Sequence, residues 1–143
     1  VINRYKQAPP AIAFVTNFGL KRGALASSVA HDSHNIVAVG CSDDELAACI
    51  NLVIEHRGGV AATAGSDRRI LALPVAGLMA TGDGFQVARE YDALDVFSKE
   101  LGSTLPSPFM TLSFLALLVI PELKLSDLGL FDGRRFEFTQ LFC

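Results

Sequence analysis

The sequence predicts an α+β fold of mixed α/β layers, with a small mixed or antiparallel sheet packed against two amphipathic helices and no complete barrel. Three observations predict it. Short apolar runs bounded by Gly, Pro and polar turns alternate with two longer runs at helical spacing, in the order strands, helix, strands, helix, apolar segment, strands. The 143 residues suit one domain, residues 1–143. A barrel of eight strands and eight helices takes roughly 250 residues, so none fits.

Each element has its own local signal. "AIAFVTNFG" (Ala11–Gly19) reads as a strand after the stiff Pro9-Pro10 pair. "GALASSVA" (Gly23–Ala30) and "NIVAVG" (Asn35–Gly40) read as two more strands, and the polar residues between them read as a loop at a strand end. A helix then starts at Ser42, whose hydroxyl and Glu45 have the spacing of a capping box, while Asp43 and Asp44 suit the positive end of the dipole. Cys41 and Leu46 hold the positions of a hydrophobic staple, and Leu46, Cys49, Ile50, Val53 and Ile54 form its apolar stripe. Gly58-Gly59 stops it, and His56 reads as an end-of-helix residue.

"GVAATAGSDRRILALP" is a hairpin turning at Gly65-Ser66-Asp67. "GDG" (Gly82–Gly84) could present backbone N–H groups to an anion, but the acidic Asp83 favours a capping turn for a second helix from about Phe85 to Leu101, with Phe85, Ala88, Tyr91, Leu94, Val96 and Phe97 on one side. Thr111–Leu118 is too short for periodicity to choose between helix and strand. The tail alternates around Asp132-Gly133, which predicts a terminal hairpin with Phe136, Phe138 and Leu141 partly buried.

Composition narrows the function. Half of the residues are hydrophobic and 19% are charged, with a mean hydropathy of +0.38. That excess predicts an apolar face meant for another domain or subunit. Net charge is −3 and the basic residues are scattered from Arg4 to Arg135, so no stripe follows a nucleic-acid backbone. The most apolar run, Phe114–Ile120, is far short of the about 20 residues that cross a bilayer. The opening "VINRYKQAPP" has charges where a secretory leader has its apolar run. Cys41, Cys49 and Cys143 are odd in number and lack a C-x-x-C pair, as expected of reduced, mostly buried thiols in a cytoplasmic protein.

The chemistry concentrates in one pentad: His31, Asp32, Ser33, His34 and Asn35. On a regular strand His31 and His34 would face opposite ways, whereas in a turn they could converge on a metal with Asp32 as an oxygen ligand. A catalytic zinc site normally takes three protein ligands, and the only other histidine is His56. The other reading is a turn whose imidazoles bond backbone carbonyls. Ser27, Ser28 and Ser33 lie near these histidines, but there is no G-x-S-x-G elbow and no P-loop.

Several stretches in fixed order carry a resemblance: "NFGLKRGALASSVAHDSHNIVAVG", "LPVAGLM", "SPFMTLSFLALLVIPELKLSDLGL" and "FEFTQLF". From about Asn3 to Phe142 the chain resembles the carboxyl-terminal region of bacterial adenine deaminases, hydrolases of the amidohydrolase superfamily. The resemblance implies a parent that converts adenine and water to hypoxanthine and ammonia in purine salvage. It implies a divalent metal (manganese, iron or zinc) in a barrel domain, where bound water is acidified towards neutrality. The family's H-x-H ligand pair is missing here, as are the H-x-E and P-C-x-x-C signatures of cytidine-type deaminases.

The resemblance further implies a carboxyl-terminal domain of a longer chain, as the opening Val1 in place of Met also hints. Such a domain would be structural and active-site-capping, inactive alone, and without a cofactor requirement of its own. Its expected partners are the catalytic barrel domain of the same protein, adenine as the parent's substrate, and further copies in a cytoplasmic homo-oligomer, with neither nucleic acid nor membrane. His31, Asp32, Ser33, His34 and Asn35 are the residues expected in the cleft, for hydrogen bonds to the purine edge, for contact with a metal ligand, or (His31 and His34) for metal. The alternatives are a free-standing small-molecule or metal-binding module and a purely structural oligomerisation domain.

Overall fold

A computed structural model describes residues 1–142, and places ten elements in two antiparallel sheets and three helices. Strands β1 (Ala24–Ser27), β2 (Val37–Gly40), β3 (Gly59–Ala64) and β4 (Asp67–Ala72) form one sheet in the order β2-β1-β3-β4. Helix α1 (Asp43–Glu55) connects β2 to β3, and α2 (Gly84–Glu100) and α3 (Pro108–Phe114) follow β4. The second sheet holds β5 (Leu123–Ser126), β6 (Gly129–Asp132) and β7 (Glu137–Phe138) in sequential order. The fold is α+β without a closed barrel.

Side-chain alternation along the central strands explains the layering. In β1, Leu25 enters the core shared with Leu94, Phe97 and Leu101 of α2 and its end, and with Phe109 and Leu112 of α3. Its neighbours Ala24 and Ala26 turn the other way, with Ala61 of β3, to meet Cys49, Leu52 and Val53 of α1. A strand's successive side chains point to opposite faces, so β1 and β3 are buried on both. Small residues on the α1 face let that helix sit close: the Cys49 thiol reaches the carbonyls of Ala24 and Ala61 at 3.4 and 3.5 Å.

Burial pushes the Cys49 thiol up to about 12. Since only the thiolate reacts, Cys49 should stay unalkylated by iodoacetamide at pH 8 until the chain unfolds. Mass-mapped labelling with and without urea reads this directly, and fast native labelling of Cys49 would contradict the packing. Cys41 is exposed, which corrects the expectation of a buried thiol there, and Cys143 lies outside the described residues.

Local signals set the helix starts. The Ser42 hydroxyl accepts from the Glu45 N–H at 3.3 Å, and Asp83 accepts from the N–H groups of Phe85 and Gln86 at 3.1 and 3.2 Å. Glu45 does not return to the Ser42 backbone; its carboxylate accepts from the Gly23 N–H at 2.8 Å and ties the cap to the sheet. Cys41 is exposed, and Leu46 packs against the core of Ala24, Cys49 and Ala61.

Other expectations need correction. Ala11–Gly19 forms no strand, because only Ala11 finds a backbone partner, Val1. Ile54, Phe85 and Val96 are exposed, while Leu52 is buried: each helix buries only the stretch lying over the sheet. The ambiguous apolar run begins as helix α3, with Pro108 at its first turn. The terminal hairpin is a three-stranded sheet whose buried residue is Phe131, edge-on to Phe136 and Phe138 at 5.3 Å each; those two rings remain exposed.

Candidate functional site

The pentad lies in the β1–β2 connection, and its supports are long-range. Ser28, fully buried, donates to the Gly77 carbonyl at 2.6 Å and accepts from the Gly59 N–H at 2.8 Å. The connection then turns tightly, with the His34 N–H on the Ala30 carbonyl at 2.7 Å and His34 at φ +50°. The His31 N–H donates to Ser113 of α3 at 3.3 Å, and the His31 ring lies 4.8 Å from that of Phe114. Buried Asn35 accepts from the Arg4 N–H at 3.1 Å.

An amino-terminal arm completes the scaffold. Asn3 accepts from the N–H groups of Tyr5 and Lys6, an Asx turn that lifts the chain over the pentad. The Tyr5 hydroxyl donates to the Ser33 carbonyl at 3.0 Å, and the Arg4 guanidinium donates to the Ala76 carbonyl at 2.8 Å. Gly77 lies beneath that guanidinium at φ +74°, the left-handed region that favours glycine, and a Cβ there would fall 1.7 Å from Arg4 Nη1 and push the guanidinium aside.

All five pentad residues therefore share one short, braced loop, but in different settings. Asp32 and Ser33 are exposed, His31 and His34 half-buried, and Asn35 is part of the support. The His31 and His34 rings are edge-on at 6.4 Å. His34 Nδ1 is buried without a hydrogen-bond partner among the described residues. A buried imidazole nitrogen of that kind is usually paired in a complete structure. No group of three His, Cys, Asp or Glu side chains able to hold a metal occurs among the described residues.

The remaining motifs serve the fold. Ser27 accepts from the Val29 N–H and Ser28 anchors Gly59 and Gly77, so neither pairs with a histidine. His56 Nδ1 donates to the Leu52 carbonyl at 3.0 Å, as an end-of-helix residue. Arg4, Tyr5 and Phe114 carry no signal of a site in the sequence. Arg4 and Tyr5 stand about thirty positions from their pentad partners, and only the Asn3 turn signal hints at a structured arm.

Large apolar side chains lie in the open, among them Ile12, Phe14, Val119, Leu128 and Phe136. No helix among the described residues is long and apolar enough to cross a membrane.

Residues 1–137 match the family described as adenine deaminase C-terminal domain. An adenine deaminase of Sulfurovum sp. (strain NBC37-1) is 60% identical over 139 residues, covering 96% of this chain and 26% of that protein. One from Salinibacter ruber is 58% identical over 144 residues, and one from Methanosarcina barkeri 52% over 142; each covers 99% of this chain and 26% of the relative. The chain thus spans about a quarter of the length of the curated relatives it matches.

Proposed function

This chain belongs to the adenine deaminase C-terminal domain family, and from that premise we propose that it is the single carboxyl-terminal domain of a cytoplasmic adenine deaminase, capping the active site of a catalytic barrel on the same polypeptide. The parent reaction is hydrolysis of adenine to hypoxanthine and ammonia. The observation that carries the reading is a braced but incomplete polar loop. Asp32 and Ser33 stand in the open, His34 Nδ1 lacks a partner, and aromatic surface from Phe114 and Tyr5 lies beside them.

A divalent metal such as manganese, iron or zinc does not fit this chain by itself, because no three ligating side chains converge among the described residues. Its ligands belong to the barrel polypeptide. His31 and His34 act on the substrate or on those ligands from outside, by hydrogen bonds that hold the purine edge or orient a metal-bound imidazole. Groups in such positions are worth about 10- to 100-fold in activity or metal affinity. The exposed apolar residues supply the surface for the barrel and for further copies in a homo-oligomer.

The test uses the full-length protein. His31→Ala and His34→Ala should each lower kcat/KM for adenine by about 10- to 100-fold, while bound metal stays at the wild-type ratio and the isolated 143-residue chain releases no ammonia. Wild-type kinetics in both variants would take the pentad out of the site. Turnover by the isolated chain would overturn the capping role.

A further inference from the structure

The first two residues bond to their neighbours as residues of a strand do. Ile2 exchanges both backbone hydrogen bonds with Ile36, at 2.8 and 3.0 Å. Val1 exchanges both of its own with Ala11 on the other side, at 2.8 and 2.9 Å. Bonding to opposite neighbours at alternate residues is the pattern of a central antiparallel strand. Beyond Val1 the two flanking segments continue, separated by a groove of about 690 Å³. It is lined by β2, the open edge of the first sheet, and by the run Ala13–Thr16, with Leu112 and Leu115 at α3 and residues of β5 and β6 closing the rest.

Both flanking segments present unpaired backbone. Ile36 points away from β1, so Ala38 and Gly40 do as well, while Cys41 points back and donates to Gly23 at 3.1 Å. Ala13 to Thr16 have no backbone hydrogen bond among the described residues. An open edge beside an apolar groove is a template for an added strand.

We propose that the polypeptide leading into Val1 in the full-length protein fills this groove as an antiparallel strand, joining β2 to Ala11–Val15 and extending the sheet from four strands to six. This rests on the reading of the chain as part of a longer protein, whose relatives are about four times its length. The register follows from the two observed pairs. The first residue before Val1 pairs with Ala38 and the third with Gly40; the second pairs with Ala13 and the fourth with Val15. Val1 and Val39 share the core on the α3 side, so the second residue before Val1 carries an apolar side chain into the same layer. The insertion gives strand pairing to Ala11–Val15 alone; Asn17, at φ +62°, ends the run well short of the predicted Gly19.

Two measurements on full-length protein test the register. The third residue before Val1 lies opposite Phe14 in a non-hydrogen-bonded pair, where Cα atoms stand about 4.5 Å apart, within disulfide reach. Cysteines at those two positions should cross-link on mild oxidation, and moving the second cysteine from Phe14 to Val15 should abolish the cross-link, because neighbouring side chains face opposite ways. In the unmodified protein the amides of Ala13, Val15, Ala38 and Gly40 should exchange at least about tenfold more slowly than those of Phe14 and Thr16. Equal cross-linking of both pairs, or exchange without this alternation, overturns the proposal, and the exchange pattern decides if the cysteine variants do not fold. Adenine turnover by the same preparation reads the deaminase assignment separately. An active enzyme without the register loses only the inserted strand, and a protein with the register but no turnover loses only the deaminase assignment.

Discussion

Gly58→Ala should destabilise the chain by roughly 2–6 kcal/mol, combining a disfavoured backbone conformation with overpacking. Gly58 sits at φ +127°, and a Cβ there would fall 2.3 Å from the Gly77 backbone and 3.1 Å from both the Leu73 carbonyl and Ser28 Oγ. None of these is the end of a flexible side chain. The Gly77 turn would have to retreat, taking with it the Ser28 hydrogen bond and the seat of Arg4, and so the brace of the pentad. Gly65→Ala is the control: its φ is also positive, at +59°, but nothing lies within 4 Å of the added carbon. It should cost only about 1–2 kcal/mol, the left-handed backbone alone. Urea unfolding of both variants would show a much larger fall in midpoint for Gly58→Ala at an unchanged m-value. Equal costs would mean that the close approach of the two glycines is dispensable.

Phe97→Ala should cost about 3–5 kcal/mol, a large part of a typical domain's stability of about 5–15 kcal/mol. Phe97 is among the largest fully buried side chains and joins α2 to the core that contains Leu25, Leu71 and Leu112. Its truncation leaves a cavity between the helices and the sheet. Part of the loss comes from outside the core, since the Arg69 guanidinium of β4 stands 4.0 Å over the ring. A double-mutant cycle with Arg69→Ala should give a coupling of about 0.5–1 kcal/mol, the exposed cation–π range. A loss under 1 kcal/mol for Phe97→Ala would contradict the placement of α2 over the sheet.

The legibility of each element in the sequence tracks the range of the interactions that form it. Ser42 and Asp83 cap helices through N–H groups two or three residues away, so both helix starts were legible. The hairpin of β3 and β4 turns on adjacent residues and was legible too. Phe85 and Val96 lie in the open although periodicity places them on the apolar face, because periodicity does not say how much of the helix lies on the sheet; α2 buries Leu94, Phe97 and Ser98 near its end. The β5 strand carries no clear sequence signal for a related reason. Its four residues alternate too briefly to stand out, and pairing with β6 makes them a strand.

The candidate site divides in the same way. Residue types alone singled out His31 to Asn35, because such a density of imidazole, carboxylate and amide groups between apolar strands is a local property. Arg4, Gly77, Ser113 and Phe114 come from remote parts of the chain, and no spacing rule could have gathered them.

By itself the sequence determined the α+β class, the starts of α1 and α2, the polar loop and, through its ordered motifs, the family. Each depends on hydrogen bonds or patterns within a few residues. Only the tertiary structure decided that Ala11 pairs with Val1 while Ala13–Thr16 stay without a backbone partner among the described residues, that two glycine backbones meet beneath Arg4, and that His34 Nδ1 lacks a partner there. A strand, a close approach and an unpaired nitrogen are relations between distant segments. They come into being when hydrophobic burial brings those segments together.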